Sequence, residues 1–220
     1  MRSPIAESER RAKAPARRSA AIDREGLARA VRSFLAAAGR PLEGELEGTP
    51  ERVAEAWAAN FLDGYATSAA EALGPLIDAE AGEGLVCVTG LDFHSICPHH
   101  LLPYRGLAHL AFLPGRHLVG FSRLGRLVDA LAHRLLLQEA LAAEIARELW
   151  RGTGARGAAC VLEAEQACLS CRGRHRRRAR ATAESYVGAL ARGSGAAELR
   201  ARFARSISAG GEPWPRELAP

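Results

Sequence analysis

The chain has 220 residues, a net charge of +5 and 48% hydrophobic residues, which is the size and composition of one globular domain with extensions. Residues 1–20 carry six basic and two acidic side chains, so about +1 remains for the rest of the chain. No segment approaches the roughly 20 apolar residues of a membrane span, and residues 1–20 lack the apolar stretch of a secretory signal. We therefore expect a cytoplasmic protein with no membrane partner.

Two basic segments, residues 1–20 and "RGRHRRRAR" (172–180), raise the question of a nucleic-acid partner. Proteins that bind single-stranded nucleic acid place aromatic side chains among the basic ones, and residues 172–180 contain none. We expect a solvated, phosphate-attracting surface there, a disordered tail at residues 1–20, and no nucleic-acid partner.

The chain opens with two predicted helices. Residues 22–40 and 48–65 both place apolar side chains at helical spacing. In the second helix, Thr49 is the expected N-cap, with Pro50 at the first helical position and Glu51 in the first turn.

Strands follow at residues 85–97, 106–114 and 117–121, and "PGR" at 114–116 predicts a turn that joins the last two as a hairpin. Residues 122–150 then carry two apolar stripes at helical spacing. A break near Arg134–Leu135 would divide this segment into two helices.

The last part of the chain predicts two further strands and a helix. Residues 157–168 have the apolar run of a buried strand. Residues 176–190 alternate between apolar and polar side chains, as in a strand with one solvent-exposed face, and residues 196–208 are helical. The order of elements predicts an α+β fold with an antiparallel sheet and helices on one face.

The cysteines and histidines form the densest chemical pattern. An odd count of five cysteines without a secretory signal argues against a disulfide framework. "FHSICPHHLLP" (93–103) holds a C-x2-H pair, Cys97 and His100, and about seventy residues later Cys168 and Cys171 form a C-x2-C pair. Thiolate and imidazole are the ligands that zinc prefers, and catalytic zinc keeps three protein ligands and one water.

Three interpretations of these residues stay open on spacing alone. They form a catalytic three-ligand zinc site, or a closed Cys3His structural site, or no metal site at all. In the last case the cysteines belong to the core and the histidines make local hydrogen bonds.

Four segments in chain order resemble the signature blocks of the GTP cyclohydrolase I family: "LEGTPERVAEAW" (46–57), "SICPHHLLPYRGLAHLAFLP" (95–114), "LVGFSRLGRLVDALAHRLLLQEALAAEIA" (118–146) and "EAEQACLSCRG" (163–173). The resemblance covers about residues 25–190. It implies a tunnelling fold (T-fold), with active sites between the subunits of a homodecamer. It also implies hydrolytic opening of the guanine imidazole ring of GTP, with release of formate and closure to 7,8-dihydroneopterin triphosphate, a step of pterin and tetrahydrofolate biosynthesis.

The resemblance also implies a domain organisation and a set of site residues. Residues 1–20 would be the tail, 21–80 an N-terminal helical region, 81–192 the T-fold catalytic domain and 193–220 a C-terminal helix and tail. Zn²⁺ would be held by Cys97, His100 and Cys168, with His99 as a proton carrier. Glu139 would read guanine through its N1–H and exocyclic amine, assisted by Gln138. The triphosphate would be bound by Ser122, Arg123, Arg126, Arg172 and Arg52.

Two positions depart from the family pattern. Gln166 stands where a catalytic histidine is usual and cannot carry a proton, although it can hydrogen-bond substrate or water. Pro98 stands where glutamate is usual. Either His99, His94 or a water takes over the missing role, or the chain is a zinc- and purine-nucleotide-binding paralogue with altered or lost activity, or an inactive subunit of a mixed assembly. We expect the Cys171 side chain to point away from the metal.

Overall fold

The structure is a computed structural model that describes residues 21–78, 84–171 and 178–209. The predicted tail at 1–20, the residues after 209, Arg172 and most of the basic run 172–180 lie outside the described residues.

The N-terminal part is helical, as predicted. Helix α1 spans Arg24–Ala37, α2 spans Thr49–Ala56 and continues as a π-helical turn, and the short helix α3 spans Ala69–Leu73. The expected N-cap at Thr49 is wrong: α2 already begins there, and its N-cap is Gly48 with a φ of +71°. The Thr49 hydroxyl instead accepts a hydrogen bond from the guanidinium of Arg52.

Within the described residues, six strands form two antiparallel sheets. Strands β1 and β4 are two residues each, Ile77–Asp78 and His117–Leu118, and pair only with each other. The main sheet has the order β2-β3-β5-β6. Its strands are Val86–Cys97, Leu102–Leu113, Gly157–Gln166 and Ala181–Gly188.

The predicted hairpin around 114–116 is wrong. Strand β3 pairs with β2 on one side and β5 on the other, so neither of its edges remains for β4. Strands β2 and β3 form a tight hairpin whose turn is residues 98–101, between the strands that end at Cys97 and start at Leu102. Strands β5 and β6 are a second consecutive antiparallel pair.

Two helices cross one face of the main sheet, α4 at Phe121–Ala132 and α5 at Gln138–Thr153. The predicted break is confirmed: residues 133–137, here called the connection, separate them. Strand β5 ends at Gln166, and Cys168 lies in the short helix α6, Ala167–Ser170, so the predicted strand was two residues too long.

Alternating residues of the strands face two apolar clusters. The larger contains Leu110, Phe112 and Leu162 and lies under α4 and α5. The smaller contains Ala111, Leu113 and Phe203, the last from helix α7, Ala196–Ala209. Helices α4 and α5 therefore lie on one face as expected, whereas α7 covers part of the other face. Across the described ranges, no helix is both long and apolar enough to cross a membrane.

Candidate active site

The connection between α4 and α5 is bound to the sheet by buried polar groups. The hydroxyl of Tyr104, whose side chain is 1% exposed, donates to the backbone oxygen of Leu136 at 3.0 Å. Ser95, also 1% exposed, donates to the backbone oxygen of Arg134 at 3.2 Å. Leu135 forms an isolated parallel bridge with Ile96 of β2. Burial, together with the smaller effects of the nearby Cys97 and Glu139, raises the pKa of Tyr104 to about 12, so this hydroxyl stays a donor at physiological pH.

The N-terminal region holds the other side of the connection. Nδ1 of His133 lies 2.9 Å from the carboxylate of Asp63, which accepts the hydrogen bond. The guanidinium of Arg134 donates to the backbone oxygens of Gly64 and Thr67, both at 3.0 Å. A Cβ at Gly64 would lie 2.6 Å from the backbone oxygen of Ala130, so only glycine permits this approach.

The first residue of α5, Gln138, is 3% exposed, and protein groups use its whole carboxamide. Its Nε2 donates to the backbone oxygens of Leu162 at 2.8 Å and Ala181 at 3.0 Å, which joins the helix to β5 and β6. Its Oε1 accepts from Nε2 of Gln166 at 2.7 Å. The predicted contact of Gln138 with substrate stays a prediction, and this geometry favours an indirect role.

Glu139 follows in the first turn of α5 with an exposed side chain. Because the connection before it and Gln138 beside it are both fixed, the backbone presents this carboxylate to solvent in a defined position. An exposed carboxylate can accept two parallel hydrogen bonds from a ligand.

Two predicted metal ligands lie at the same end of the main sheet. Cys97 is the last residue of β2 and is paired with Leu102, while β5 leaves the sheet at Gln166, paired with Tyr104. Cys168 follows two residues later, in the short helix α6. Because β3 lies between β2 and β5 and neighbouring strands are about 4.8 Å apart, the ends of β2 and β5 are about 10 Å apart at this corner of the sheet, which also carries the turn 98–101.

The turn carries the two histidines at the surface. His99 and His100 are exposed, with ring centroids 6.5 Å apart. One backbone hydrogen bond, from the amide of Leu101 to the oxygen of Cys97 at 3.0 Å, closes the turn. Leu101 has a φ of +53°, in the left-handed region that a branched side chain rarely adopts.

The donor types at this corner suit zinc, but the side chains do not converge. Cys97, Cys168 and Cys171 are free thiols, so none is consumed by a disulfide. Across residues 21–78, 84–171 and 178–209, no group of three or more histidine, cysteine or acidic side chains is close enough to hold a metal ion. The Cys171 side chain is exposed, and its Sγ lies 3.6 Å from the hydroxyl of Ser170.

The predicted phosphate ligands belong to different elements. Ser122, Arg123 and Arg126 lie in the first two turns of α4, whose N-cap, Gly120, offers no side-chain cap. The guanidinium of Arg123 lies against Gly74, where a Cβ would meet its Cζ at 2.8 Å. Arg52 is on α2, where its guanidinium donates to the backbone of Glu45 and to Thr49.

His94, one candidate for the missing proton carrier, is engaged elsewhere. Its Nε2 lies 3.0 Å from the backbone oxygen of Asn60, and its ring packs 4.5 Å from that of His133. His94 therefore links β2 to the N-terminal region, which leaves His99 as the exposed imidazole next to Cys97.

Tyr104 and Ser95, which hold this site together, could not be found from the sequence. Both lie inside a segment that resembles the family, but nothing in their spacing shows that they bind a connection 32 and 39 residues away.

Comparison with known proteins identifies the family. The profile of GTP cyclohydrolase I matches residues 27–208. The GTP cyclohydrolase 1 of Chromobacterium violaceum is 43% identical over 194 residues, which cover 88% of this chain and 92% of the relative. The chain belongs to the GTP cyclohydrolase I family. The GTP cyclohydrolase 1 of Ralstonia nicotianae is 40% identical over 192 residues, which cover 87% of this chain and 90% of the relative.

Membership of the GTP cyclohydrolase I family settles several expectations. The chain is a hydrolase with GTP cyclohydrolase I function and the α+β T-fold, and enzymes of this family are generally zinc-dependent. Nothing in the comparisons favours a paralogue with altered or lost activity. Among solved structures, an archaeosine synthase QueF-like protein in the apo form aligns with 49% of this chain and 96% of its own, at 13% identity and a TM-score of 0.40. That likeness is too low to carry an argument.

Proposed function

We propose that this enzyme opens the imidazole ring of GTP at C8, releases formate and closes the product to 7,8-dihydroneopterin triphosphate. The observation that carries the proposal is the juxtaposition around Tyr104. Cys97 and Tyr104 belong to the apolar cluster under α4 and α5, and Glu139 lies in the first turn of α5, so the proposed base reader and one proposed metal ligand lie on the same side of the sheet.

Glu139 is the proposed guanine reader. Guanine presents N1–H and a 2-amino group side by side, and a carboxylate accepts both. Adenine offers no such pair of donors, so its complex would leave the carboxylate poorly satisfied. The rigid attachment of the connection supports this role, because selectivity of this kind depends on a fixed acceptor geometry.

Cys97, His100 and Cys168 are the proposed zinc ligands. Two thiolates and an imidazole match zinc chemistry. Cys97 ends β2, and Cys168 follows the end of β5 at the same end of the main sheet, which supports this ligand set. With one coordination position open, zinc supplies a Lewis acid that activates water near neutral pH. Because the side chains do not converge in the described structure, we expect the turn 98–101 and helix α6 to adjust when metal binds.

His99 is the proposed proton carrier. It is exposed beside Cys97, and an imidazole can gain or lose a proton near pH 7. Gln166, which stands in the place of the usual histidine, donates through its amide and does not titrate.

The triphosphate is proposed to bind at the N-terminus of α4. The positive end of the helix dipole and the cations of Arg123 and Arg126 favour anions there, and Ser122 adds a hydroxyl donor. Arg52 and Arg172 are proposed as further phosphate ligands, the latter outside the described residues.

The same geometry supports a site shared between subunits. Helix α4 has 12 residues and is therefore about 18 Å long, with Ser122 at one end and the connection to Glu139 at the other. A nucleotide read by Glu139 of one chain would meet the α4 N-terminus of another more readily than its own. The long edge strands β2 and β6 could pair with neighbouring chains. We propose a homo-oligomer, specifically a decamer.

One assay tests this function. Zinc-loaded protein is incubated with GTP, and formate and the fluorescent pterin are measured together. We expect equal amounts of both. Formate without pterin would mean that the reaction stops after ring opening, and GTP binding without either product would contradict the proposed reaction.

A further inference from the structure

We infer that Gln166 is a positioning residue: it orients Glu139 through Gln138 and thereby sets how strongly the enzyme prefers guanine to related purines. This inference rests on the proposed role of Glu139. It also gives Gln166 a function that does not require it to move a proton.

Backbone oxygens determine the orientation of the Gln138 carboxamide. Two backbone oxygens, those of Leu162 and Ala181, lie at 2.8 and 3.0 Å from one end of it. A backbone oxygen can only accept, so the end that faces them must be the NH2 group. The Oε1 of Gln138 therefore points to Gln166.

Position 166 must therefore supply a hydrogen-bond donor to the Oε1 of Gln138. Gln138 is 3% exposed, so water cannot replace a lost partner without rearrangement. Gln166 donates to Oε1 at 2.7 Å, and an amide NH2 keeps its protons at every physiological pH. A glutamine at position 166 can therefore supply this hydrogen bond, although a histidine is usual at that position in the family.

The Gln166–Gln138 pair is linked to Glu139 through the backbone of α5. Gln138 and Glu139 are the first two residues of α5, and the hydrogen bonds of Gln138 to β5 and β6 fix where that helix begins. Within the described ranges, no hydrogen bond or ion pair restrains the Glu139 carboxylate itself. Its direction therefore depends on the backbone that Gln138 holds.

Loss of the Gln166 donor should lower the selectivity for guanine more than it lowers the overall rate. Two parallel hydrogen bonds to guanine require the carboxylate to be coplanar with the base edge, whereas a single bond tolerates a tilt. Inosine triphosphate keeps N1–H but lacks the 2-amino group, so the ratio of kcat/KM for GTP to that for inosine triphosphate measures the second bond.

The test compares three substitutions at position 166 in the full chain. Gln166→Met keeps the size and removes the donor, and Gln166→Glu places an acceptor against Oε1. Gln166→His retains an N–H. We expect the first two to lower the GTP to inosine triphosphate ratio by about tenfold, the worth of roughly one hydrogen bond. We expect Gln166→His to hold the ratio within about twofold of wild type, whatever its absolute rate.

Matched controls separate positioning from general damage. Glu165→Gln changes the adjacent residue of β5, which points to the other face of the sheet, and should leave the ratio unchanged. If Gln166→Met does not fold, Gln166→Glu gives the same comparison, because Gln166 is only half-buried and tolerates a polar replacement.

The outcomes distinguish the inference from the proposed function. If Glu139→Ala abolishes the selectivity but neither donor-removing variant changes the ratio, the inference is overturned and the proposed guanine reader stands. An equal fall of kcat for both nucleotides in Gln166→Met, at an unchanged ratio, would also overturn it. If Glu139→Ala leaves the ratio unchanged, the proposed role of Glu139 fails first.

Discussion

The connection 133–137 and the turn 98–101 lie at the same end of the sheet but are built differently. The connection is held from two sides, by Tyr104 and Ser95 of the sheet and by Asp63 of the N-terminal region. The turn is exposed and closed by one backbone hydrogen bond, and it contains a leucine with a positive φ. The backbone of the proposed guanine reader, Glu139, is thus positioned by the chain itself, whereas the corner proposed to hold the metal would be ordered by metal binding.

This difference has a physical basis. A carboxylate that must accept two hydrogen bonds gains selectivity from a rigid backbone, and buried hydrogen bonds supply that rigidity. Metal ligands obtain their order from coordination, because the free energy of metal binding is also free energy of folding for the segment that carries them.

Replacing His99, the proposed proton carrier of the turn 98–101, should have the largest effect on the catalytic rate. We expect His99→Asn to lower kcat by about 10² to 10⁴-fold, the usual worth of a general acid–base group. The ratio of kcat/KM for GTP to that for inosine triphosphate should stay constant, since the connection is untouched. Formate release gives the rate, and a ratio that falls with kcat would show that the two regions do not act separately.

Loosening the connection 133–137 should instead lower the stability of the protein and its preference for guanine. Tyr104→Phe leaves the backbone oxygen of Leu136 without its buried donor, which we expect to reduce the free energy of unfolding by about 1 to 3 kcal/mol and to lower the guanine preference. Denaturant unfolding measures the first effect and nucleotide competition the second. As a control, Tyr186→Phe removes a hydroxyl that donates a hydrogen bond to Glu184 at the surface. This substitution should reduce the free energy of unfolding by less than about 0.5 kcal/mol.

The smallest expected effect is a difference in reactivity between the buried thiol of Cys160 and the exposed thiol of Cys171. Burial raises the pKa of the fully buried Cys160, whereas Cys171 is exposed. Because a raised pKa keeps the folded thiol protonated while the unfolded chain ionises near pH 8.5, the contribution of Cys160 to stability declines as the pH rises above that value. At pH 8 iodoacetamide should label Cys171 in the native protein and Cys160 only after unfolding, as read by mass spectrometry. Equal native labelling would contradict the packing of β5.

The sequence predicted the secondary structure well where apolar periodicity is strong. The split into α4 and α5 and the course of β2 and β3 follow from it. Periodicity could not show which strands pair, so β4 was joined to β3 although it pairs with β1. Nor could it show that β5 ends at Gln166, because the residues that follow are as small and apolar as strand residues.

The site residues were located by family resemblance and not by local chemistry. Glu139 on its own is an exposed acid in a helix, and nothing in the sequence predicts that Tyr104 and Gln138 fix its backbone. Such contacts depend on strand register, which places residues far apart in the chain side by side. The role of Gln166 needed the structure for the same reason, since its partner is 28 residues away.

The metal content of the purified protein tests the central claim, that three donors meet around one ion at the corner of the sheet. Elemental analysis should find one zinc per chain in the wild type and in Cys171→Ser, and little or none in Cys97→Ala or Cys168→Ala. Stoichiometric zinc that survives loss of Cys97 or Cys168, or that disappears with Cys171, would contradict the proposed ligand set.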